Sequence, residues 1–263
     1  MTITPERLEA LKSAAVELID HGSRSPLLLV CEHASNRVPE EWGMLGLSEE
    51  ALQDHIGWDI GAAGITRVLA RRFGASAVLA GYSRLFMDCN RAPDRSDAVP
   101  AVSDGVSVPG NEGLSAEERA LRRAIAFVPL HEQIATLIDR YRADGVEPIL
   151  VSIHSFTPEM DGFRRPWSIG VLWNECDSFG EAVADALEPV DDGGSPVVIG
   201  RNEPYSAKAF LTYTLETHGR QRELDNIAIE IRNDHAGNPA SAVHVTALLE
   251  QALVRSVPRL ALP

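Results

Sequence analysis

Residues 27–36 read LLLVCEHASN. Apolar residues run unbroken from Leu27 to Cys31, and an acid, an imidazole and small polar residues follow. A strand with one wet face alternates apolar and polar side chains, whereas an unbroken run suits a strand covered on both faces. The stretch therefore predicts a buried strand of a helix-covered sheet, ending at Glu32 and His33. In open α/β sheets ligands bind outside the carboxyl ends of the strands, so these two residues stand where chemistry is expected.

The same pattern recurs along the chain. Short apolar runs bounded by turn residues predict strands at 26–32, 76–83, 84–89, 148–154, 168–173, 196–200 and 226–232. Helical patterns lie between them. Residues 48–73 open with a Ser48 cap and two first-turn acids, and residues 115–127 open with a capping box from Ser115 to Glu118. Pro129 is expected to break or kink a further helical run that reaches Tyr141. Residues 178–190 and 239–257 complete the set, and residues 1–22 read as a helix capped by Thr4 with Pro5 in its first turn. Alternating strands and helices predict one α/β domain over 1–263, built in three layers. Two stretches look irregular: the long loop 90–113 and a surface turn at 188–196.

Composition narrows the function. The chain has 263 residues and a net charge of −14, which disfavours a nucleic-acid partner. No apolar run approaches the roughly 20 residues that span a bilayer, and the N-terminal stretch lacks a signal core. Cys31, Cys89 and Cys176 are too few and too scattered for a disulfide framework or a CxxC metal site. Reduced thiols in a cytoplasmic protein are the expectation.

Four polar clusters fall at predicted strand ends: Glu32-His33, Asp88 to Arg91, His154-Ser155, and Glu230. In IAIEIR, alternation puts Ile227, Ile229 and Ile231 on one face and Glu230 on the other. A carboxylate in a covered strand costs several kcal/mol unless it is paired or faces a cleft. Two histidines from separate strand ends can meet across a sheet, and a catalytic zinc takes three protein ligands with one open position. Glu32, Asp59 and Asp88 are the carboxylates available to complete such a set. His55 and Asp59 are spaced i, i+4, which on a helix would share a face.

The ordered segments CEHASNRVP, HIGWDIGAA, YSRLFMDCNR, SIHSF, RNEPYS, YTLETHG and IAIEIRND resemble those of the N-formylglutamate amidohydrolase-like family, over roughly residues 26–235. That family is similar in turn to zinc carboxypeptidases and related deacylases. The resemblance implies a three-layer αβα fold with a central mixed sheet of the phosphorylase/hydrolase-like type. It also implies one zinc ion and a small-molecule substrate bearing a carboxylate. By it, His33 and His154 become metal ligands and Glu230 the catalytic acid/base. Asn90 and Arg91 become the grip on the substrate carboxylate, with Arg84 assisting. The carboxypeptidase pattern has a Glu three residues after the first His, where this chain has Asn36. The amidohydrolase branch offers an Asp in the next helix instead, so Asp59 stands ahead of Glu32 as third ligand. Tyr205 and His218 are further hydrogen-bonding residues for substrate, while Trp58 is expected in the core. The activity implied is hydrolysis of the N-acyl amide of an acidic amino acid, the N-formyl amide included. The alternatives are a deacylase or carboxypeptidase on another carboxylate-bearing amide, and a non-catalytic binding protein on the same fold.

Overall fold

The structure, a computed structural model, describes residues 3–174, 177–187, 197–205, 212–258 and 260. Its centre is a seven-stranded sheet made of β1 (Val16–Ile19), β2 (Leu27–Cys31), β3 (Ser76–Ala80), β4 (Ile149–Phe156), β5 (Ile169–Leu172), β6 (Ile199–Arg201) and β7 (Asn226–Arg232). The spatial order is β1-β3-β2-β4-β7-β5-β6. Strands β3, β2, β4 and β7 run parallel, β1 lies antiparallel to β3, and β5 lies antiparallel to β7 and parallel to β6. The sheet is thus mixed, as expected.

Every residue of β2 is buried, and the two faces of the strand feed different cores. Leu27, Leu29 and Cys31 join helices α3 (Ala62–Phe73), α6 (Asp177–Leu187) and α8 (Pro239–Ser256) through Leu69, Val183 and Leu249. Leu28 and Val30 join α1 (Pro5–Ala14) and α5 (Val128–Ala143) through Leu11, Ile134 and Ile138. Burial on both faces is why the run carries no alternation, and it makes the domain three-layered.

Three expected elements differ. Residues 84–89 form no strand. After β3 the chain folds into a turn in which the Ser83 carbonyl accepts from the Phe86 and Met87 amides, and the Ser83 hydroxyl accepts from the Leu85 amide. Those residues are apolar because the turn is buried: Leu85 packs in a small third core with Leu45 and Leu52, and Phe86 in the core under α5. The stretch 48–73 is not one helix but Glu49–Gln53, a looped segment, and α3. A Cβ at Gly57 would lie 2.2 Å from the Leu52 carbonyl oxygen, and Gly61 has φ of +85°. Both glycines therefore mark a break rather than a helix interior. The N-terminal helix ends at Ala14, and VELI, expected to continue it, pairs along the sheet edge as β1.

Pro129 is absorbed without a break. A helix at Ala116–Arg122 widens into a π-type turn over Arg123–Phe127 and enters α5 with Pro129 in its first turn, where a missing N–H costs little. The loop 90–113 contains a hairpin pairing Val102–Ser103 with Val106–Ser107. Its base is held by fully buried Arg122, whose guanidinium reaches Asn111 Oδ1 at 2.6 Å and the Gly110 carbonyl at 2.9 Å. Cys31 and Cys89 are free and buried, while Cys176 and the expected turn at 188–196 lie outside the described residues. Among the described residues no helix is long and apolar enough to cross a membrane.

Candidate metal centre and cavity

Parallel strands β2, β4 and β7 deliver their carboxyl ends to one edge of the sheet. His33 follows β2 by two residues, and His154 lies on β4 with Glu230 as its partner on β7. The loop after residue 53 crosses over this edge, where the Asp59 amide donates to the His33 carbonyl at 3.0 Å. The broken helix therefore has a consequence: Asp59 sits on a loop, so its i, i+4 relation to His55 places no shared helical face. His55 instead pairs with Asp54 and Asp104 at the rim.

His33, Asp59 and His154 are brought together, with donor atoms all within 4.8 Å of one another. Both imidazoles turn Nδ1 toward Asp59 Oδ2, at 3.2 Å for His33 and 2.8 Å for His154. The far nitrogens are held as well. His33 Nε2 lies 2.9 Å from Asp88 Oδ1, and His154 Nε2 lies 2.8 Å from Ser152 Oγ and 3.3 Å from Glu32 Oε2. Ser152 in turn donates to Glu32 at 2.7 Å. Glu32 and Asp88, the other two carboxylates weighed as third ligand, thus lie behind the rings while Asp59 lies between them.

This donor set suits a divalent cation. Each ring has a carboxylate near both nitrogens, an arrangement that favours the doubly protonated ring when no metal is bound. Burial disfavours the charged His33 ring and Arg84 repels it, but Asp88 and Asp59 outweigh both and raise its pKa. For His154, burial is likewise overcome by Glu32 and Asp59, and its pKa is raised further. Replacing the two Nδ1 protons by one dication keeps the total charge and leaves each Nε2–H on its carboxylate. Such outer carboxylates are a recurrent feature of histidine metal sites.

The acids divide sharply. Burial works against an ionised Glu32, yet the charge of His154 and its hydrogen bonds hold the carboxyl at about 2. Asp59 and Asp88 are also held low, by the histidines against their own burial. Glu230 goes the other way: burial and the charge of Asp59 outweigh His154, raising its carboxyl to about 7. Its Oε2 is buried with no hydrogen-bond partner among the described residues. Glu230 occupies the face of β7 opposite Ile227, Ile229 and Ile231, which pack in the core under α8. The alternation resolves as a cleft-facing acid.

A cavity of about 250 Å³ opens over these groups. Arg84, Asn90, Arg91 and Tyr205 line it together with the triad and Glu230. Arg84 bridges Asp88 Oδ2 at 3.0 Å and Asp59 Oδ1 at 3.4 Å. Arg91 is half-buried and bonded to the Asn90 carbonyl at 3.3 Å. The Tyr205 ring lies under the Arg165 guanidinium at 4.9 Å. Trp58 is half-buried, its indole donating to the Gln53 carbonyl.

His218, expected from the sequence to hydrogen-bond substrate, is not among the described residues that line this cavity. A π-type turn at Leu215–Gly219 sends its ring inward, where it stacks on His131 with centroids 5.2 Å apart. Burial pushes both rings down, His131 to about 4 and His218 to about 3, so both are neutral. His131 escaped the sequence reading because it lies inside a helix. Its signal was its place in the buried stripe 131, 134, 138, 141 of α5, where an imidazole interrupts apolar spacing.

A family model described as N-formylglutamate amidohydrolase matches residues 25–236. Among curated proteins, none matches. Of solved structures, the gene product Atu2144 from Agrobacterium tumefaciens is 36% identical, with a TM-score of 0.83 over 91% of this chain and 94% of that one. An N-formylglutamate amidohydrolase from Ralstonia eutropha JMP134 shares the fold at 18% identity and a TM-score of 0.62, over 93% of this chain and 96% of that one. With four-fifths of its length matched by the family model, this chain belongs to the N-formylglutamate amidohydrolase family.

Proposed function

We propose that the protein is a metal-dependent amidohydrolase that cleaves the N-acyl amide of a carboxylate-bearing amino acid, with the N-formyl amide of an acidic amino acid as the leading case. The observation that carries this reading is the juxtaposition, in one cavity, of the His33–Asp59–His154 cluster with a buried Glu230 oxygen that has no hydrogen-bond partner among the described residues. Family membership supports the amide-hydrolysing class.

His33 Nδ1, His154 Nδ1 and an Asp59 oxygen are the groups that would hold one zinc ion. Such an ion supplies Lewis acidity, acidifying water and polarising an amide carbonyl. Glu230 accepts the proton of the attacking water and hands it to the departing nitrogen. A carboxyl raised to about 7 suits a group that must both take and give a proton near neutrality. Asn90 and Arg91 grip the substrate carboxylate, which fixes the scissile bond relative to Glu230. Arg84 is already shared between Asp59 and Asp88, so its first effect is to hold the acids around the cluster.

Replacing Glu230 by Gln removes the proton acceptor and keeps shape. The expected outcome is a fall in kcat of at least ~10²-fold on N-formyl-glutamate or a related N-acyl amino acid, with zinc stoichiometry unchanged. An E230Q enzyme of wild-type activity would end this assignment. Comparison of N-formyl-glutamate with other N-acyl amino acids and short peptides separates the leading case from a deacylase or carboxypeptidase.

A further inference from the structure

Behind the cavity, His131 and His218 form a two-step chain of hydrogen bonds. His131 Nε2 lies 2.8 Å from the Cys89 carbonyl oxygen, and His131 Nδ1 lies 3.0 Å from His218 Nε2. A carbonyl only accepts, so the His131 proton sits on Nε2. In the neutral ring Nδ1 is then a lone pair, and His218 must donate to it from its own Nε2. Both tautomers are fixed by one carbonyl. The last atom of the chain, His218 Nδ1, is buried with no partner among the described residues.

That arrangement is costly for a site that would accept apolar rings. Phe127 and Tyr213 pack against His131 at centroid distances of 4.2 and 4.7 Å. Apolar side chains at both positions would remove the orphaned His218 nitrogen, but they would leave the Cys89 carbonyl without a donor. The imidazoles make sense through what they hold. Cys89 is the middle of the turn whose neighbours reach the cavity. On one side Asp88 takes His33 Nε2, and on the other Asn90 Nδ2 lies 3.2 Å from His154 Nε2, with Arg91 next along. The segment that carries His218 also grips this turn directly: the Tyr213 amide donates to the Asn90 carbonyl at 3.2 Å and the Thr214 amide to Asn90 Oδ1 at 3.2 Å.

We propose that His131 and His218 are positioning residues: by fixing the Cys89 peptide they orient Asn90 and Arg91, and so set the grip of the cavity on the substrate carboxylate. The kinetic part rests on the amidohydrolase reading above, whereas the tautomer part does not.

The test pairs nitrogen-15 imidazole spectra with kinetics on the zinc-loaded enzyme. At pH 7 the spectrum should contain two neutral rings protonated on Nε2 that are both altered by His131→Gln, one by loss and one by shift. A Gln side-chain amide can still donate to the Cys89 carbonyl, so H131Q should retain a KM near that of the wild type. His131→Leu cannot donate, and should raise KM for an N-acyl amino acid about tenfold with kcat and zinc content little changed. His218→Leu should give a smaller rise in KM, because it removes only the support of the His131 tautomer. Either ring protonated on Nδ1 alone, or H131Q impaired as much as H131L, would overturn the proposal. So would a KM unchanged in H131L. Should H131L fail to fold, the spectrum and H218L still decide. A wild-type enzyme inactive on every N-acyl amino acid would defeat the amidohydrolase reading, and the spectrum alone would then decide whether the chain to Cys89 exists.

Discussion

At the scale of single residues, Asp88 and Glu32 matter through the nitrogens they hold. Each carboxylate lies on the far Nε2 of a histidine whose Nδ1 faces Asp59. Removing such a partner commonly costs 10–100-fold in metal affinity. Asp88→Ala should therefore weaken zinc binding by about that factor in a chelator competition, while leaving the three candidate ligands in place; an unchanged affinity would show that His33 needs no orienting acid. The buried histidine pair makes a second, pH-dependent prediction. His131 titrates at about 4 in the fold against about 6.5 for an ordinary histidine, so between those values the unfolded chain binds the proton and the folded chain does not. Its contribution to stability is intact above about pH 6.5 and is lost as pH falls toward 4. The stability difference between wild type and H131Q, from urea unfolding at stepped pH, should shrink over that window; a difference independent of pH would mean the ring is not buried neutral. These residues were unequally legible. His33, His154 and Glu230 stood out because each interrupts or ends an apolar run. Asp88 read only as one of three carboxylates available to a metal, and His131 was invisible, because what each does depends on a partner 55 and 42 residues away.

At the scale of elements, the strands that carry the cluster were legible because burial on both faces leaves an unbroken apolar run, as in LLLVC and ILVSI. The same signal misled at LFM, since a buried turn is as apolar as a buried strand. Periodicity failed at 48–73 for a related reason: apolar residues at helical spacing continue across the break, and the two glycines carry the information. Gly61 is the more telling. Its φ is +85°, and a Cβ there would lie 2.1 Å from the Ala236 carbonyl oxygen. That close approach packs the loop of Asp59 against the short helix after β7. Gly61→Ala should destabilise the fold by more than ~1 kcal/mol, the usual scale for a side chain forced into left-handed backbone. It should also lower zinc content, because Asp59 is two residues away. Full zinc loading in a stable G61A protein would show that Asp59 does not depend on the break.

At the scale of the molecule, the cluster joins parts of the chain that are remote in sequence. His33 follows β2, Asp59 sits on a loop, His154 lies on β4, and Glu230 pairs beside it on β7. The surrounding charges are balanced without a metal: Glu32, Asp59 and Asp88 are ionised against Arg84 and two histidinium rings, and Glu230 is partly neutralised by burial. A balanced network can fold by itself, so zinc is expected to be an added stabiliser rather than a condition of folding. An ion that binds only the assembled cluster stabilises the fold by mass action, by ~2.7 kcal/mol at a hundred times Kd. For a chain of about this length each kcal/mol moves Tm by roughly 2–4 °C, so the expected rise is roughly 5–10 °C. Thermal unfolding of chelator-treated protein, with and without added zinc, measures it. Asp59→Ala supplies the control: it should fold, and its Tm should hardly respond to zinc. A wild-type Tm indifferent to zinc would count against metal binding at this cluster. A zinc-dependent rise that persists in D59A would place the bound ion elsewhere on the protein.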